Sequence, residues 1–297
     1  MASSWRAGFG PLLPGTEAVP FWDIGAVEQK LATKNFAAFI VEPIQSEGGV
    51  RIPSPAYLRQ AQSVCRRHGT LLVLDEVQTG MFRTGKFLAA HHFDVQPDIV
   101  ILAKALSGGL VPVAGVLMTD EVNHAVYSSL QRALVHTSTY SENGLAMRAG
   151  LATLDVLEDE QLGPRAARLG QQLRQQLTET LAHYEMFREI RGLGLLNGIE
   201  FTAPTTLSLR LPFAAFRAIH PGMFGQVVVM RLLRRERILS QVCGNHFMVL
   251  KANPPLVASE EHIASFNASL DRVVNDIHSS NAFWSDALAL ARRTANI

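Results

Sequence analysis

Two apolar stretches that end in opposite charges decide the fold of this chain. The first, Leu71-Leu72-Val73-Leu74-Asp75-Glu76-Val77-Gln78, closes on an acid, and the second, Asp98-Ile99-Val100-Ile101-Leu102-Ala103-Lys104, closes on a base. Short continuous apolar runs of this kind are typical of buried parallel strands. As neighbouring strands, they would bring Asp75 and Lys104 together at the carboxyl edge of a sheet, where α/β proteins bind ligands.

The two side chains at that edge allow several kinds of chemistry. Alone, Lys104 could clamp a phosphate, form a structural ion pair or act as a nucleophile, and Asp75 could cap the sheet edge or bind a metal ion. Burial beside small residues such as Ala105 and Gly108 would lower the pKa of Lys104 and favour an uncharged amine. Together, an amine that condenses with a carbonyl and a carboxylate that keeps a ring nitrogen protonated suit a pyridine aldehyde.

The composition limits the class of protein. The 297 residues are 47% hydrophobic, which is enough for one large domain or two smaller ones. A net charge of +1 provides no broad field for nucleic acid or an anionic membrane. Two cysteines exclude a disulfide framework, no apolar run reaches the length of a membrane span, and the first residues lack a secretory signal. We therefore expect a cytoplasmic protein with no nucleic-acid or membrane partner.

The first half of the chain alternates between strand and helix patterns, which predicts an α/β fold with a mostly parallel sheet and flanking helices. Apolar runs predict strands at 37–42, 71–77, 98–103 and 112–118. Apolar residues at helical spacing predict helices at 24–34, 55–68, 86–93, 120–130 and 144–158. Pro55 and Gly69 stand where a helix start and a C-terminal cap belong.

The pattern changes in the second half and predicts a smaller α+β domain. We expect one long helix over 160–184, a glycine-broken strand over 187–201, irregular structure over 202–222, a helix over 223–237, a strand over 247–251 and a helix from Ser259 to 277. The predicted division is a large domain at 1–183 that is incomplete at its N-terminus, a small domain at 184–280 and a C-terminal extension at 281–297.

Several motifs, in one order along the chain, resemble those of the class III pyridoxal-phosphate aminotransferases, a family that includes the ornithine, acetylornithine and putrescine enzymes. The motifs are Val41-Glu42-Pro43-Ile44-Gln45-Ser46-Glu47-Gly48-Gly49, Leu74-Asp75-Glu76-Val77-Gln78-Thr79-Gly80, Arg83-Thr84-Gly85, Pro97-Asp98-Ile99, Ala103-Lys104-Ala105-Leu106-Ser107-Gly108-Gly109, Arg191-Gly192-Leu193-Gly194-Leu195 and Pro254-Pro255-Leu256. The resemblance implies fold-type I, pyridoxal 5'-phosphate as cofactor, and an amino donor and a carbonyl acceptor as substrates.

The resemblance also implies roles for five residues at the cofactor. Lys104 would form the Schiff base and move a proton, and Asp75 would hold the pyridine nitrogen. Gln78 would hydrogen-bond the ring hydroxyl oxygen, and Val77 would pack against one face of the ring. Thr139 resembles the threonine that reaches the cofactor phosphate of the neighbouring subunit. We therefore expect a homodimer whose sites lie at the subunit interface.

On the substrate side the resemblance points to three residues. Glu42 would lie at the wall of the site or serve as a structural carboxylate. In the amino-acid enzymes an arginine just before the Pro-Pro pair binds the α-carboxylate, and here Lys251 takes that position, with Glu47 as the glutamate that can pair with it. Lysine gives up the bidentate fork of arginine. The usual Gly-Gly-Asn-Pro is replaced by 141–144, Ser-Glu-Asn-Gly. Both departures favour an amine or aldehyde on an apolar carrier over an α-amino acid.

A further departure concerns the start of the chain. Family members begin well upstream of Phe9, and that portion carries the loop that binds the cofactor phosphate at a helix N-terminus and the aromatic residue that stacks on the ring. We therefore expect this chain to correspond to the C-terminal two-thirds of an aminotransferase. The leading hypothesis is transamination through a Schiff base on Lys104. The alternatives are an inactive truncated fragment or dimerising partner, and a decarboxylase or aminomutase that uses the same cofactor.

Overall fold

The computed structural model describes residues 8–219, 222–244, 247–279 and 283–285. These residues form two compact units, each built around its own sheet. The N-terminal unit contains residues 8–44 and 52–164, and the C-terminal unit contains residues 45–51 together with the described residues from 165 onward.

The sheet of the N-terminal unit has four strands in the order β1-β2-β3-β4, and their bounds are β1 Ala38–Val41, β2 Leu71–Asp75, β3 Ile99–Leu102 and β4 Gly115–Met118. The pairs β1–β2 and β2–β3 are parallel, whereas β4 runs antiparallel to β3. The predicted mostly parallel sheet is therefore confirmed. The predicted strand at 112–118 begins only at Gly115 and forms the antiparallel edge.

Four helices accompany this sheet, and their bounds are α1 Ile24–Leu31, α2 Pro55–His68, α3 Asp120–Val126 and α4 Gly144–Asp159. The α2 limits match the prediction, with Pro55 in the first turn and Gly69 in the left-handed conformation at φ 70°. Its inner face buries Tyr57, Leu58, Ala61, Val64 and Cys65. The predicted helix at 86–93 is shorter, a single 3-10 turn over Ala89–His92.

The sheet of the C-terminal unit is antiparallel in the order β5-β6-β8-β7, with β5 Phe187–Leu193, β6 Leu196–Phe201, β7 Gln241–Cys243 and β8 Val249–Ala252. The predicted glycine-broken strand is a hairpin, because Gly194 at φ 52° reverses the chain between β5 and β6. The short edge strand β7 has no counterpart among the predicted elements.

The helices of the second half are α5 Leu162–Leu181, α6 Leu207–Ile219, α7 Met223–Glu236 and α8 Glu260–Ser279. The prediction of irregular structure over 202–222 is wrong, since α6 occupies most of that range despite Pro212 inside it. Its buried residues Leu209, Phe213 and Phe216 share one helical face, and Phe213 lies edge-on to Phe224 of α7. Tertiary packing of aromatic rings here outweighs the backbone hydrogen bond that proline removes.

The long helix α5 packs on the C-terminal sheet through close backbone contact. A Cβ atom on Gly170 would lie 1.7 Å from the carbonyl oxygen of Gly194, and Arg174 donates to that oxygen and to Asn197 Oδ1 at 3.1 and 2.8 Å. Residues 165–181 therefore belong to the same compact unit as the C-terminal sheet. This division differs from the boundary expected between residues 183 and 184; the domain limits of the complete protein stay a prediction.

Near the C-terminus the structure describes three residues of the expected extension, of which Phe283 and Trp284 are buried, with Trp284 against Phe216. The rest of the predicted extension lies outside the described residues. Within the described ranges, no helix combines the length and the apolar character that crossing a bilayer requires.

Candidate active site

The three parallel strands of the N-terminal unit bring Glu42, Asp75 and Lys104 to one edge of the sheet. Val41 pairs with Leu74, so Glu42 follows β1 at the level where Asp75 ends β2. Asp75 pairs with Ile101 of β3, three residues before Lys104. One interstrand spacing and three residues of chain separate the Cα atoms of Asp75 and Lys104 by no more than about 16 Å.

Lys104 begins a 3-10 turn, Lys104–Ser107, and has a left-handed backbone at φ 49°. This conformation is unfavourable for a residue with a side chain; it occurs in turns and is enriched at functional sites. The expected burial of Lys104 is wrong, because the residue is exposed, as are Gly108 and Gly109 after the turn. The turn itself is fixed from within: Ser107 is buried and its hydroxyl donates to the carbonyl oxygen of Val111.

Asp75 is half-buried at the end of β2, and its carboxylate shapes the turn that follows. Asp75 Oδ1 accepts a hydrogen bond from the backbone N–H of Val77 at 3.0 Å. Val77 and Gln78 are half-buried in the same turn. Three of the residues predicted to contact the cofactor ring therefore share one short segment whose direction the Asp75 carboxylate helps to set.

Glu76, which sequence reasoning passed over, anchors this segment from below. It is 1% exposed, and its carboxylate accepts from the N–H groups of Ala89 and Ala90 at 2.9 and 2.8 Å and from the Thr79 hydroxyl. Burial raises the pKa of Glu76, and these three donors oppose that shift. An acid inside an apolar strand pattern was the signal that could have identified it. Its contacts tie the turn after Asp75 to the 3-10 turn at 89–92.

In the C-terminal unit the structure pairs Lys251 with Glu47. Lys251 lies in β8, and its side chain is 7% exposed, whereas the side chain of Glu47 is 49% exposed. Lys251 Nζ lies 2.5 Å from Glu47 Oε1. A buried ammonium needs a compensating charge, and Glu47 supplies it across 204 positions of sequence.

The predicted site residues thus fall into three groups. Glu42, Asp75, Val77, Gln78 and Lys104 gather at the carboxyl edge of the N-terminal sheet, and Glu47 and Lys251 form an ion pair in the C-terminal unit. Thr139 lies in an exposed turn between α3 and α4. The individual roles of these residues stay predictions.

Known proteins resemble this chain over most of its length. The family described as Aminotransferase class-III matches residues 7–274. A mitochondrial ornithine aminotransferase of Rattus norvegicus is 45% identical over 192 residues, which cover 65% of this chain and 42% of the relative. An uncharacterized aminotransferase of Schizosaccharomyces pombe is 41% identical over 282 residues, which cover 91% of this chain and 57% of the relative.

Solved structures agree with this result. The ornithine aminotransferase of Toxoplasma gondii superposes on this chain with a TM-score of 0.80 at 37% identity. The match covers 93% of this chain and 60% of the Toxoplasma chain. The acetylornithine aminotransferase of Elizabethkingia anophelis gives a TM-score of 0.71 at 34% identity. The chain thus spans about two-fifths to three-fifths of the length of these relatives. Over that span, the matching family, the fold-type I neighbours and the order of the motifs all agree, and the chain belongs to the class III aminotransferases.

Proposed function

We propose that this chain is the part of a pyridoxal-phosphate-dependent aminotransferase that carries the cofactor-binding lysine and carboxylate. The reaction is the exchange of an amino group between a primary amine or amino acid and an aldehyde or oxo acid. The observation that carries this proposal is the β1–β2–β3 register, which sets Asp75 and Lys104 at one sheet edge. Family membership supports it, since the relatives named above are aminotransferases.

The residues at that edge fit the cofactor by their chemistry. Lys104 offers an exposed primary amine for an aldehyde carbon, and Asp75 offers a half-buried carboxylate for a protonated ring nitrogen. Gln78 adds an amide for the ring hydroxyl oxygen, and Val77 adds an apolar surface for the ring face. Thr139 would bind the phosphate of the cofactor that is held by the neighbouring subunit.

The bound cofactor supplies an electron-withdrawing ring that stabilises negative charge at the substrate carbon. This chain would supply the groups around it. The Asp75 carboxylate would keep the proton on the ring nitrogen, because a nearby negative charge favours the protonated form. The Lys104 amine would hold the group in place and then take and return a proton at Nζ. The anchored Glu76 would keep the Asp75 turn from moving during these transfers.

The Lys251–Glu47 pair supports one substrate class. The Lys251 ammonium is already neutralised by Glu47, so a substrate carboxylate would have to displace that contact. Lysine would then bind it through a point charge rather than a fork. We therefore favour a primary amine or aldehyde on an apolar carrier over an α-amino acid, with Glu42 at the wall of the site.

Exposed apolar side chains support the homodimer. Leu110, Leu130, Leu134 and Tyr140 are 87%, 92%, 79% and 82% exposed, and the last three flank Thr139 in sequence. A second subunit that packs on these side chains would remove them from water.

Cys65 and Cys243 are both unbridged, which agrees with the proposed cytoplasmic location.

Incubation with millimolar pyridoxal phosphate tests the proposal. We expect absorbance of bound cofactor in the visible region and, after borohydride reduction, a covalent adduct at residue 104 by peptide mass spectrometry. Lys104→Ala should lose both signals. Lys86→Ala is the matched control, since that lysine is also exposed and contacts the carbonyl oxygen of His91. An unmodified residue 104 at saturating cofactor would refute the cofactor assignment.

Turnover by the complete protein tests the substrate class. We expect kcat/KM for a simple alkyl amine to exceed the value for ornithine. Lys251→Arg should narrow the difference between these two values, because it restores the bidentate guanidinium that binds a carboxylate. Similar values for the two donors in the unmodified protein would remove the support for a carboxylate-free substrate.

A further inference from the structure

Residues 45–51 form a closed loop of the C-terminal unit, called the strap below. Its ends are joined by two backbone hydrogen bonds between Gln45 and Arg51, at 3.0 and 2.9 Å. Inside it, Val50 is fully buried and has φ 50°, an uncommon backbone for a β-branched residue. A Cβ atom on Gly198 of β6 would lie 3.0 Å from the Val50 side chain, so the strap sits tightly on the sheet.

The side chain of Arg191, in β5, binds the backbone of the strap. Arg191 Nε donates to the carbonyl oxygens of Gly49 and Val50 at 3.1 Å each, and Nη2 donates to Gly49 at 2.6 Å. Its remaining nitrogen, Nη1, binds Glu189 at 2.6 Å and also Glu200. The two carboxylates hold the guanidinium against the sheet while its other side grips the strap.

The strap in turn covers the end of β7 and reaches Lys251. The carbonyl oxygen of Glu47 accepts from the N–H of Gly244 at 2.9 Å, and the Glu47 side chain pairs with Lys251. Cys243 lies beneath, 2% exposed, with the backbone of Gly49 within hydrogen-bonding reach of its thiol. The placement of Glu47 and the closure over Cys243 therefore depend on one short loop.

We propose that Arg191 is a positioning residue: it fixes the strap, and through the strap it sets the Glu47 carboxylate on Lys251 and closes Cys243 from solvent. The role of the Glu47–Lys251 pair in substrate choice rests on the proposed function. Arg191 governs the opening of the strap through its hydrogen bonds to Gly49 and Val50, whatever the substrate.

The geometry of arginine explains why this position needs it. The planar fork satisfies two adjacent carbonyl oxygens and two carboxylates at once, and lysine, as a point donor, cannot do so. Arg191→Lys keeps the positive charge, so it changes the hydrogen-bond geometry with little change in the field on Glu47, Lys251 and Cys243. Loss of charge-assisted hydrogen bonds should shift the local opening equilibrium of the strap by at least about tenfold.

Thiol modification of the full chain by a disulfide reagent measures that opening. We expect Arg191→Lys to speed the modification of Cys243 by at least about tenfold, because a buried thiol reacts through the locally open state. Cys65 is the internal control: it is fully buried in the N-terminal unit, and burial raises the pKa of both thiols to about 12. Its rate should not change.

Arg188→Lys is the matched variant. Arg188 lies on the same strand and binds Glu200 at 2.8 Å, and no hydrogen bond to the strap is among those described for it. It should leave the Cys243 rate unchanged. An unchanged Cys243 rate in Arg191→Lys would overturn the proposal, as would equal acceleration of both cysteines, which indicates general destabilisation. If Arg191→Lys does not fold, Gly49→Ala opens the strap by a second route, and slow Cys243 modification in that variant would count against the inference.

Kinetics of the complete protein test the consequence for Glu47. With the strap released, Lys251 is freed for a substrate carboxylate, and KM for a carboxylate-bearing donor should fall by at least about threefold while kcat and the KM for an alkyl amine stay unchanged. Unchanged KM values alongside fast Cys243 modification would overturn the link to substrate choice. No turnover in any variant, with fast Cys243 modification in Arg191→Lys, would fault the proposed function and leave the positioning role of Arg191 supported.

Discussion

The two units arrange their charged groups in opposite ways. In the N-terminal unit, Lys104 is exposed on a strained turn and Asp75 stands half-buried at a strand end. In the C-terminal unit, Lys251 is buried against Glu47, and Arg191 bonds through all three of its nitrogens. The first arrangement leaves the Lys104 amine accessible to solvent, whereas the second holds charges in internal pairs that a ligand would have to displace.

Removing the charge of Asp75 should have the largest effect on activity, and it tests whether the N-terminal unit carries the reactive groups. Asp75→Asn should lower kcat of the complete protein about a thousandfold, because an amide does not hold a proton on the ring nitrogen as a carboxylate does. Steady-state kinetics with any accepted donor measure the loss. Asp94→Asn removes an exposed carboxylate of the same unit, 4.0 Å from Arg59, and should leave kcat near the starting value. Equal kcat values in the two variants would contradict the role of Asp75.

Removing the Glu76 carboxylate tests whether the open edge depends on a buried anchor. Glu76→Ala leaves two buried N–H groups and the Thr79 hydroxyl without an acceptor. We therefore expect the free energy of unfolding, measured by urea denaturation, to fall by about 3 kcal/mol. Glu121→Ala, in the first turn of α3, should change it by under about 0.5 kcal/mol.

The same residue gives a pH dependence. Burial raises the pKa of Glu76 in the native state, so the native state holds this proton to higher pH than the unfolded chain does. The contribution of Glu76 to stability therefore falls as pH rises from the ordinary glutamate value of 4.5 through the raised pKa. Glu76→Gln should flatten that part of the stability profile, and an unchanged profile would show that Glu76 does not titrate there.

Adding a side chain to the strap sharpens the contrast between the units. Gly49 has φ 110°, a conformation that other residues avoid. Gly49→Ala should destabilise the protein by about 2 kcal/mol in thermal or urea unfolding. Gly109→Ala has a smaller positive φ of 82° in an open turn and should be less harmful. A larger loss at Gly109 would show that the strap is not the tighter of the two segments.

Removing a side chain, at Lys104, should have the smallest effect on stability. Lys104→Gly relieves a left-handed backbone and should raise the free energy of unfolding by about 1 kcal/mol while cofactor attachment is lost. Lys34→Gly, also at positive φ but outside the proposed site, is the control for the backbone effect alone. Destabilisation at residue 104 would show that its side chain supports the fold rather than straining it.

Local patterns predicted much of the N-terminal unit because its signals are close in sequence. The α2 helix was predicted over 55–68 from Pro55 and Gly69, and apolar runs predicted strands at 37–42, 71–77 and 98–103, where β1, β2 and β3 lie. In the C-terminal unit the same reasoning missed α6, which contains Pro212, and β7, which has only three residues. Both depend on contacts with distant residues rather than on their own propensity.

The amino-acid sequence by itself determined the family, the sheet class and which lysine and carboxylate stand at the ends of neighbouring strands, because periodicity and motif order are local properties of the chain. Only the tertiary structure decided that Lys104 is exposed, that Glu76 anchors the turn beside it, and that Arg191 holds a strap joining Glu47 to Lys251. Those facts depend on pairing between residues up to 204 positions apart. Such pairing is fixed by packing and by the requirement to neutralise buried charge, which no short stretch of sequence records.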